Sequence, residues 1–207
     1  QSSMLNDKTI NDEYYSLLKQ EYTALAHKYQ LKPIPQNMWK YMRMRSANFP
    51  TIRLAQFAYL VYKSQSLFSK VVECEQLDEL YLLFDVETSV YWLTRYRFGS
   101  ESSFKEKRLG VSTVNTIIIN TIIPFLFLYG VRNGIDSLKE RAIRFLEELQ
   151  PEENDIIKRW KSLGVTIDSA LQSQALIHLT KKYCSDGKCL RCAIGNNIVR
   201  SVLSDSM

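Results

Sequence analysis

The sequence has little glycine and proline, with seven glycines and five prolines among 207 residues. Folds built from many tight β-turns need more of both, so this scarcity argues against an all-β protein. Helical spacing is frequent instead, for example at Tyr14, Leu18, Tyr22 and Leu25, which fall on one helix face. We therefore predict an all-α fold, a single globular domain of about eight helices with short connections and a cysteine-rich turn near the C-terminus.

The limits of the domain follow from length and from the first residues. A chain of 207 residues is long enough to bury a substantial core within one domain. Gln1-Ser2 ahead of Met4 is typical of what remains after protease removal of an expression tag. We predict that residues 1–3 are such a scar, and that residues 4–207 form one helical domain, a C-terminal fragment of a longer protein.

No basic region followed by an apolar one opens the chain, so we expect no secretory signal. Four cysteines without such a signal are typical of a reduced, cytoplasmic protein. The longest apolar run, residues 111–129, is interrupted by hydroxyl and amide side chains and by Pro124. A membrane-spanning helix needs about 20 predominantly apolar residues. We expect this run to be a buried core helix, and we expect no membrane partner.

No complete catalytic motif is present. The only histidines are His27 and His178, which leaves no Ser-His-Asp arrangement, and no glycine-rich loop is available to hold a phosphate. The acidic residues between Glu147 and Asp155 suit the start of a helix, where carboxylates interact favourably with the helix dipole. We assign no catalytic residue and do not expect this chain alone to be an enzyme.

Three of the four cysteines fall within nine residues, at Cys184, Cys189 and Cys192. Thiolates this close on a turn can converge on zinc or on an iron–sulfur cluster, and His178 on the preceding helix could be a fourth ligand. The distant Cys74 could take that place instead. The same cysteines can be small apolar residues of the core, and we expect the chain to have no cofactor.

Basic and aromatic residues alternate in two stretches of the chain. Cations that neutralise phosphates, beside rings that stack on bases, are typical of nucleic-acid surfaces. The alternative is that the arginines form internal ion pairs with acids such as Asp85 and Glu87. The candidate nucleic-acid contacts are Arg43, Arg45, Arg53, Arg95, Arg97, Lys105 and Arg108.

Several motifs carry a resemblance to a known family. They are Arg45-x-x-Asn48-Phe49-Pro50-x-x-Arg53-x-Ala55-Gln56, Tyr91-Trp92, Phe98-Gly99, Asn120-Thr121-x-x-Pro124, Ser173-Gln174-Ala175-Leu176, and Tyr183-Cys184 with Cys189-Leu190-x-Cys192-x-Ile194-Gly195. Together they resemble the C-terminal half of a bacterial family defined only as a domain of unknown function. The N-terminal half of that family carries acidic motifs suggestive of restriction-endonuclease-like enzymes, so the resemblance implies that any nuclease chemistry lies outside this chain.

The stretch Leu109-Gly110-Val111-Ser112, followed by an apolar helix and later by the cysteines, is similar to helix-hairpin-helix DNA glycosylases of the endonuclease-three type. In those enzymes the hairpin amides hold a DNA phosphate and the chain ends in an iron–sulfur loop. Here Val114 stands where the catalytic lysine would fall, Arg132 lies near the expected aspartate, and the fourth cluster cysteine is missing. This resemblance implies a metal-containing domain of the glycosylase type that has lost its catalytic residues.

The sequence thus favours a non-catalytic helical accessory domain that contacts nucleic acid. The alternative from a different class is a protein-interaction or structural module, which packs on a missing N-terminal domain of the same protein or on a second copy of the chain. A surface with a continuous positive face would favour the first function, and a large exposed apolar patch would favour the second.

Overall fold

The computed structural model describes residues 4–204, and the predicted scar at residues 1–3 lies outside them. The all-α prediction is confirmed, since 64% of the structure is helical and the sheet is a single two-stranded ribbon. Within the described residues the helices are α1 (Glu13–Tyr29), α2 (Pro50–Ser64), α3 (Leu67–Glu73), α4 (Leu77–Leu83), α5 (Val90–Leu93), α6 (Val111–Ile117), α7 (Ile123–Asn133), α8 (Asp136–Glu148), α9 (Asp155–Ser162), α10 (Ala170–Leu179) and α11 (Ala193–Ser204).

Shorter elements connect these helices. The strands β1 (Arg95–Arg97) and β2 (Ser100–Glu101) pair antiparallel. π-Helical turns occupy Ile118–Ile122 and Thr180–Cys184, and 3₁₀ turns occupy Gln36–Met38, Ser46–Asn48 and Cys189–Arg191.

The chain divides into two compact units, which we describe separately. Unit 1 comprises the residues up to Lys70 together with Tyr81–Gly110. Unit 2 comprises Val71–Leu80 and the residues from Val111 onwards. The predicted domain limits, residues 4–207, stay a prediction.

Unit 1 is organised around an aromatic cluster at the N-terminal end of α1. Tyr14 stacks on Tyr91 with ring centroids 4.2 Å apart, and Phe98 lies edge-on to Trp92 at 4.9 Å and to Tyr15 at 5.1 Å. Such pairs add stabilisation beyond the apolar area that they bury. Tyr15 and Trp92 are almost fully buried, so this cluster ties α1 to the segment that follows α5.

Unit 2 is built on the long apolar helix formed by α6, the π-helical turn Ile118–Ile122 and α7. Ile118 and Leu126 are fully buried along one side of it. The helix ends at Gly134, whose positive φ of 68° suits glycine, and α8 then packs back against α7. Gly130 makes this close approach possible, because a Cβ there would lie 2.9 Å from the Ile135 carbonyl oxygen.

The helix Val111–Asn133 is long and apolar enough to cross a membrane by length and composition alone, with a mean hydropathy of 1.8 over its most apolar part. Only 33% of that part is buried, which is less than we expect for a core helix. The exposed apolar side chains of α7 include Phe125, Leu128 and Val131. The predicted absence of a membrane partner stays a prediction.

Candidate nucleic-acid interface

The seven basic residues predicted to contact nucleic acid all lie in unit 1. The structure divides them into two groups. Arg53, Arg95 and Arg108 use their side chains to hold the fold together. The other four keep their charge exposed, and they are Arg43, Arg45, Arg97 and Lys105.

Arg95 belongs to a cluster that fixes the start of α1. Its guanidinium donates to Glu101 at 2.7 Å, lies 3.9 Å from Asp12 and covers the ring of Tyr91 at 4.6 Å. Asp12 is the N-cap of α1, where its carboxylate accepts from the Tyr15 amide at 3.0 Å and from the Tyr91 hydroxyl at 2.9 Å. The charge of Arg95 is therefore compensated within the protein.

The same cluster shifts two pKa values in opposite directions. Burial by itself would raise the pKa of Asp12, but the bonds from Tyr15 and Tyr91 and the charge of Arg95 bring it below its ordinary value. Burial, with the hydrogen bond to the Asp12 carboxylate, raises the pKa of Tyr91 to about 12. Both shifts keep Asp12 ionised and Tyr91 protonated over a wide pH range.

The side chains of Arg53 and Arg108 interact with different kinds of partner. Arg53 donates to the side chains of Asn48 at 2.5 Å and Gln56 at 3.0 Å, and burial lowers its pKa. Arg108 is half exposed and faces three carboxylates at 3.5–3.8 Å, from Asp85, Glu87 and Glu106. This is the internal ion pairing that the sequence left open as the alternative.

The exposed group centres on residues 38–45, which we call the basic loop. Arg43 and Arg45 are exposed, and neither forms an ion pair with any carboxylate that the structure describes. Arg97 lies beside this loop, with its guanidinium 4.7 Å from the ring of Tyr41 and 5.0 Å from that of Phe49. The arrangement places cations and aromatic rings side by side on one surface of unit 1.

Lys107 lies between the candidate contacts Lys105 and Arg108 in the sequence, yet it is only 4% exposed. Its ammonium donates to the Leu93 and Lys105 carbonyls at 3.0 and 3.2 Å and covers the Tyr96 ring at 4.3 Å. Burial, with the neighbouring charge of Lys105, lowers its pKa. Lys107 therefore stabilises the loop after β2, and it is not available to a ligand.

Residues 1–155 match the family described as "Protein of unknown function (DUF2851)". The chain belongs to this family. The resemblance to a family of unknown function is thereby confirmed, and the matched part of this DUF2851 chain contains all of unit 1 and the motifs from Arg45 to Pro124. No curated protein and no solved structure matches the chain, so the similarity to DNA glycosylases gains no support.

The matched part contains a long segment without acidic residues, a feature that the sequence motifs do not reveal. Residues 22–72 contain no aspartate or glutamate at all, whereas the whole chain carries 22 acids and a net charge of only +5. This acid-free segment contains the basic loop. Its cations are Lys28, Lys32, Lys40, Arg43, Arg45, Arg53, Lys63 and Lys70.

Three of the four cysteines, Cys184, Cys189 and Cys192, lie beyond the matched part of the DUF2851 chain. Cys184 and Cys189 are exposed, whereas Cys192 is only 8% exposed. Among residues 4–204, no three side chains of His, Cys, Asp or Glu come together in a way that could hold a metal ion. The arrangement gives no support to the hypothetical zinc or iron–sulfur site of Cys184, Cys189, Cys192 and His178. The expected absence of a cofactor stays a prediction.

Proposed function

We propose that this domain is a non-catalytic helical module that contacts nucleic acid through the basic loop, with Arg43 and Arg45 as the principal phosphate contacts. The observation that carries the proposal is the acid-free segment, because it presents these two arginines without a described carboxylate to neutralise them. Arg95, which the sequence placed among the main contacts, is assigned a structural role instead.

The chemistry of the loop suits a sequence-independent contact. Each arginine that neutralises a phosphate releases condensed counterions, which favours binding at low salt. Tyr41 and Phe49 lie next to Arg97, and aromatic rings of this kind stack on bases whatever their identity. The side chain of Met42 is 86% exposed and adds an adaptable apolar contact. We therefore expect modest affinity with a strong dependence on salt.

The test is fluorescence anisotropy of a labelled 20-nucleotide single strand, titrated with the wild type and with the double variant Arg43→Gln/Arg45→Gln at several salt concentrations. Each phosphate contact with a single strand contributes about 0.7 to the slope of log K against log salt. Removing two contacts should lower that slope by about 1.4 and weaken binding at low salt by roughly tenfold or more.

The matched control is Lys8→Gln/Lys70→Gln, which removes the same charge from exposed positions of unit 1 outside the loop. This variant should retain at least half of the wild-type affinity. An equal loss in both variants would mean that only net charge matters. The absence of binding by the wild type at low salt would overturn the proposal itself.

The second candidate function, self-association, is favoured by a separate observation on unit 2. Phe125, Leu128 and Val131 follow one another at intervals of three residues along α7 and are 57%, 47% and 52% exposed. A second copy of the chain would present the same stripe, as a two-fold symmetric helix–helix interface requires.

Light scattering should then give the mass of a dimer for the wild type, and the double variant Phe125→Ser/Leu128→Ser should reduce it to the mass of a monomer. A monomeric wild type at all concentrations would exclude it.

A further inference from the structure

A separate concentration of positive charge surrounds a cavity of about 370 Å³ in unit 2, at the end of α10. The cavity falls within the range of about 300–1,000 Å³ that is typical of small-molecule sites. We propose that it binds a phosphate monoester, the dianionic group found on free nucleotides and on the 5′ ends of nucleic acids. Its lining residues are His178, Lys182, Tyr183, Lys188 and Arg191.

The cavity arises because the chain turns back on itself immediately after α10. The helix widens into the π-helical turn Thr180–Cys184, which closes with a hydrogen bond from the Ser185 amide to the Thr180 carbonyl at 2.9 Å. The chain then reverses at Gly187, where φ is 64°, and the Lys188 amide donates to the Tyr183 carbonyl at 2.9 Å. Side chains from the outgoing helix and from the returning turn therefore line the same space.

Both walls of the cavity are anchored. The Trp160 indole donates to the Thr180 hydroxyl at 2.8 Å, which ties the π-helical turn to α9. On the returning wall, Gly195 packs so closely on the Cys189 carbonyl that a Cβ at this position would clash with it. Cys192, the residue that ends the 3₁₀ turn Cys189–Arg191, is buried. A site held in this way needs little rearrangement when it binds a ligand.

The local charge is strongly one-sided. Between residues 169 and 204 there are five lysines and arginines and a single carboxylate, Asp186. That carboxylate pairs with Lys188 at 2.5 Å and does not line the cavity. Lys182 and Arg191 have no ion-pair partner among the described residues, so two charges facing the cavity remain uncompensated.

These donors fit a phosphate monoester better than a carboxylate. The planar guanidinium of Arg191 can bind two phosphate oxygens at once, and the ammonium of Lys182 acts as a point charge on the third. A dianion balances the two uncompensated cations, whereas a carboxylate balances only one. The imidazole of His178 and the phenol of Tyr183 supply further hydrogen-bonding groups within the lining.

The test is isothermal titration calorimetry of the full chain with adenosine monophosphate, inorganic phosphate and adenosine. We expect one saturable site for the two phosphates and none for adenosine. The variant Lys182→Gln/Arg191→Gln should bind at least tenfold more weakly. The control Lys158→Gln/Arg200→Gln removes one exposed lysine and one exposed arginine of the same unit that do not line the cavity, and it should bind like the wild type.

Competition identifies the source of the phosphate. Displacement of adenosine monophosphate by a 5′-phosphorylated oligonucleotide, but not by its 5′-hydroxyl counterpart, would assign the site to nucleic-acid ends; no displacement by either would assign it to free nucleotides. The proposal is overturned if the wild type shows no saturable phosphate binding, or if the control variant loses as much affinity as the cavity variant. Both variants keep Arg43 and Arg45, so phosphate binding at the basic loop would persist in both, and only a loss confined to Lys182→Gln/Arg191→Gln reports on the cavity.

Discussion

Replacement of Phe145 by alanine is expected to destabilise the protein by about 3–5 kcal/mol, the range found when a large aromatic side chain is removed from a packed core. Phe145 lies on α8 and has no solvent exposure, so truncation leaves a cavity in unit 2 that its neighbours can fill only in part. Urea denaturation followed by circular dichroism measures the effect as a shift of the unfolding midpoint at an unchanged slope.

The matched control is Phe125→Ala on α7, where the same atoms are removed from a side chain that is 57% exposed. We expect a loss below about 1 kcal/mol, since little apolar area returns to water. A loss at Phe125 as large as the loss at Phe145 would show that the exposed stripe of α7 is covered in solution. That outcome would favour self-association.

The second large effect is expected at the N-cap of α1. Asp12→Ala removes a capping carboxylate, which is worth about 1 kcal/mol, and leaves the partly buried Tyr91 hydroxyl without its acceptor. It also removes one of the two carboxylates near the Arg95 guanidinium. We expect a total loss of about 2–3 kcal/mol, measured by the same denaturation. Asp136→Ala is the control, because its exposed carboxylate has Lys139 as its sole ion-pair partner among residues 4–204 and its loss should leave the unfolding midpoint nearly unchanged.

The pH dependence of stability provides an independent check on this cluster. The pKa of folded Tyr91, about 12, lies above the ordinary 10.0, so its contribution is present below pH 10 and is lost as pH rises toward 12. The pKa of folded Asp12 lies below 3.8, so its contribution is present above that pH and is lost as pH falls. Tyr91→Phe should remove part of the alkaline loss, and an unchanged alkaline slope would contradict the assignment.

The sequence predicted the fold class because helical spacing and a scarcity of turn residues are properties of local segments. It did not predict how far Val111–Asn133 is exposed, because an apolar helix has the same composition whether its outer side faces protein or solvent. The short helix α3 and the ribbon of β1 and β2 were missed as well, since elements of one or two turns carry almost no periodic signal.

The roles of individual charged residues were less predictable, because they depend on long-range partners. Arg95 and Arg97 are two residues apart, yet Arg95 is compensated by Asp12, more than 80 residues earlier in the chain, whereas Arg97 lies over aromatic rings with its charge exposed. Lys107 is next to Arg108 in the sequence, where a surface position is expected for a lysine, but the structure shows that it is buried. The acid-free segment is a property of the sequence alone, because a comparison of the numbers of acidic and basic residues along the chain reveals it.

The π-helical turn at Ile118–Ile122 has a consequence for how this protein can change during evolution. A π-turn holds one residue more than an α-helix of the same rise, so it is equivalent to a single-residue insertion. In a regular α-helix one inserted residue would rotate everything after it by about 100° around the helix axis. The wide turn at Ile118–Ile122 takes up the extra residue locally, so loss of one residue there would restore a regular α-helix and leave Phe125 and Leu128 on the same face of α7. The length of this segment can therefore change by one codon without altering which side chains of α7 are exposed.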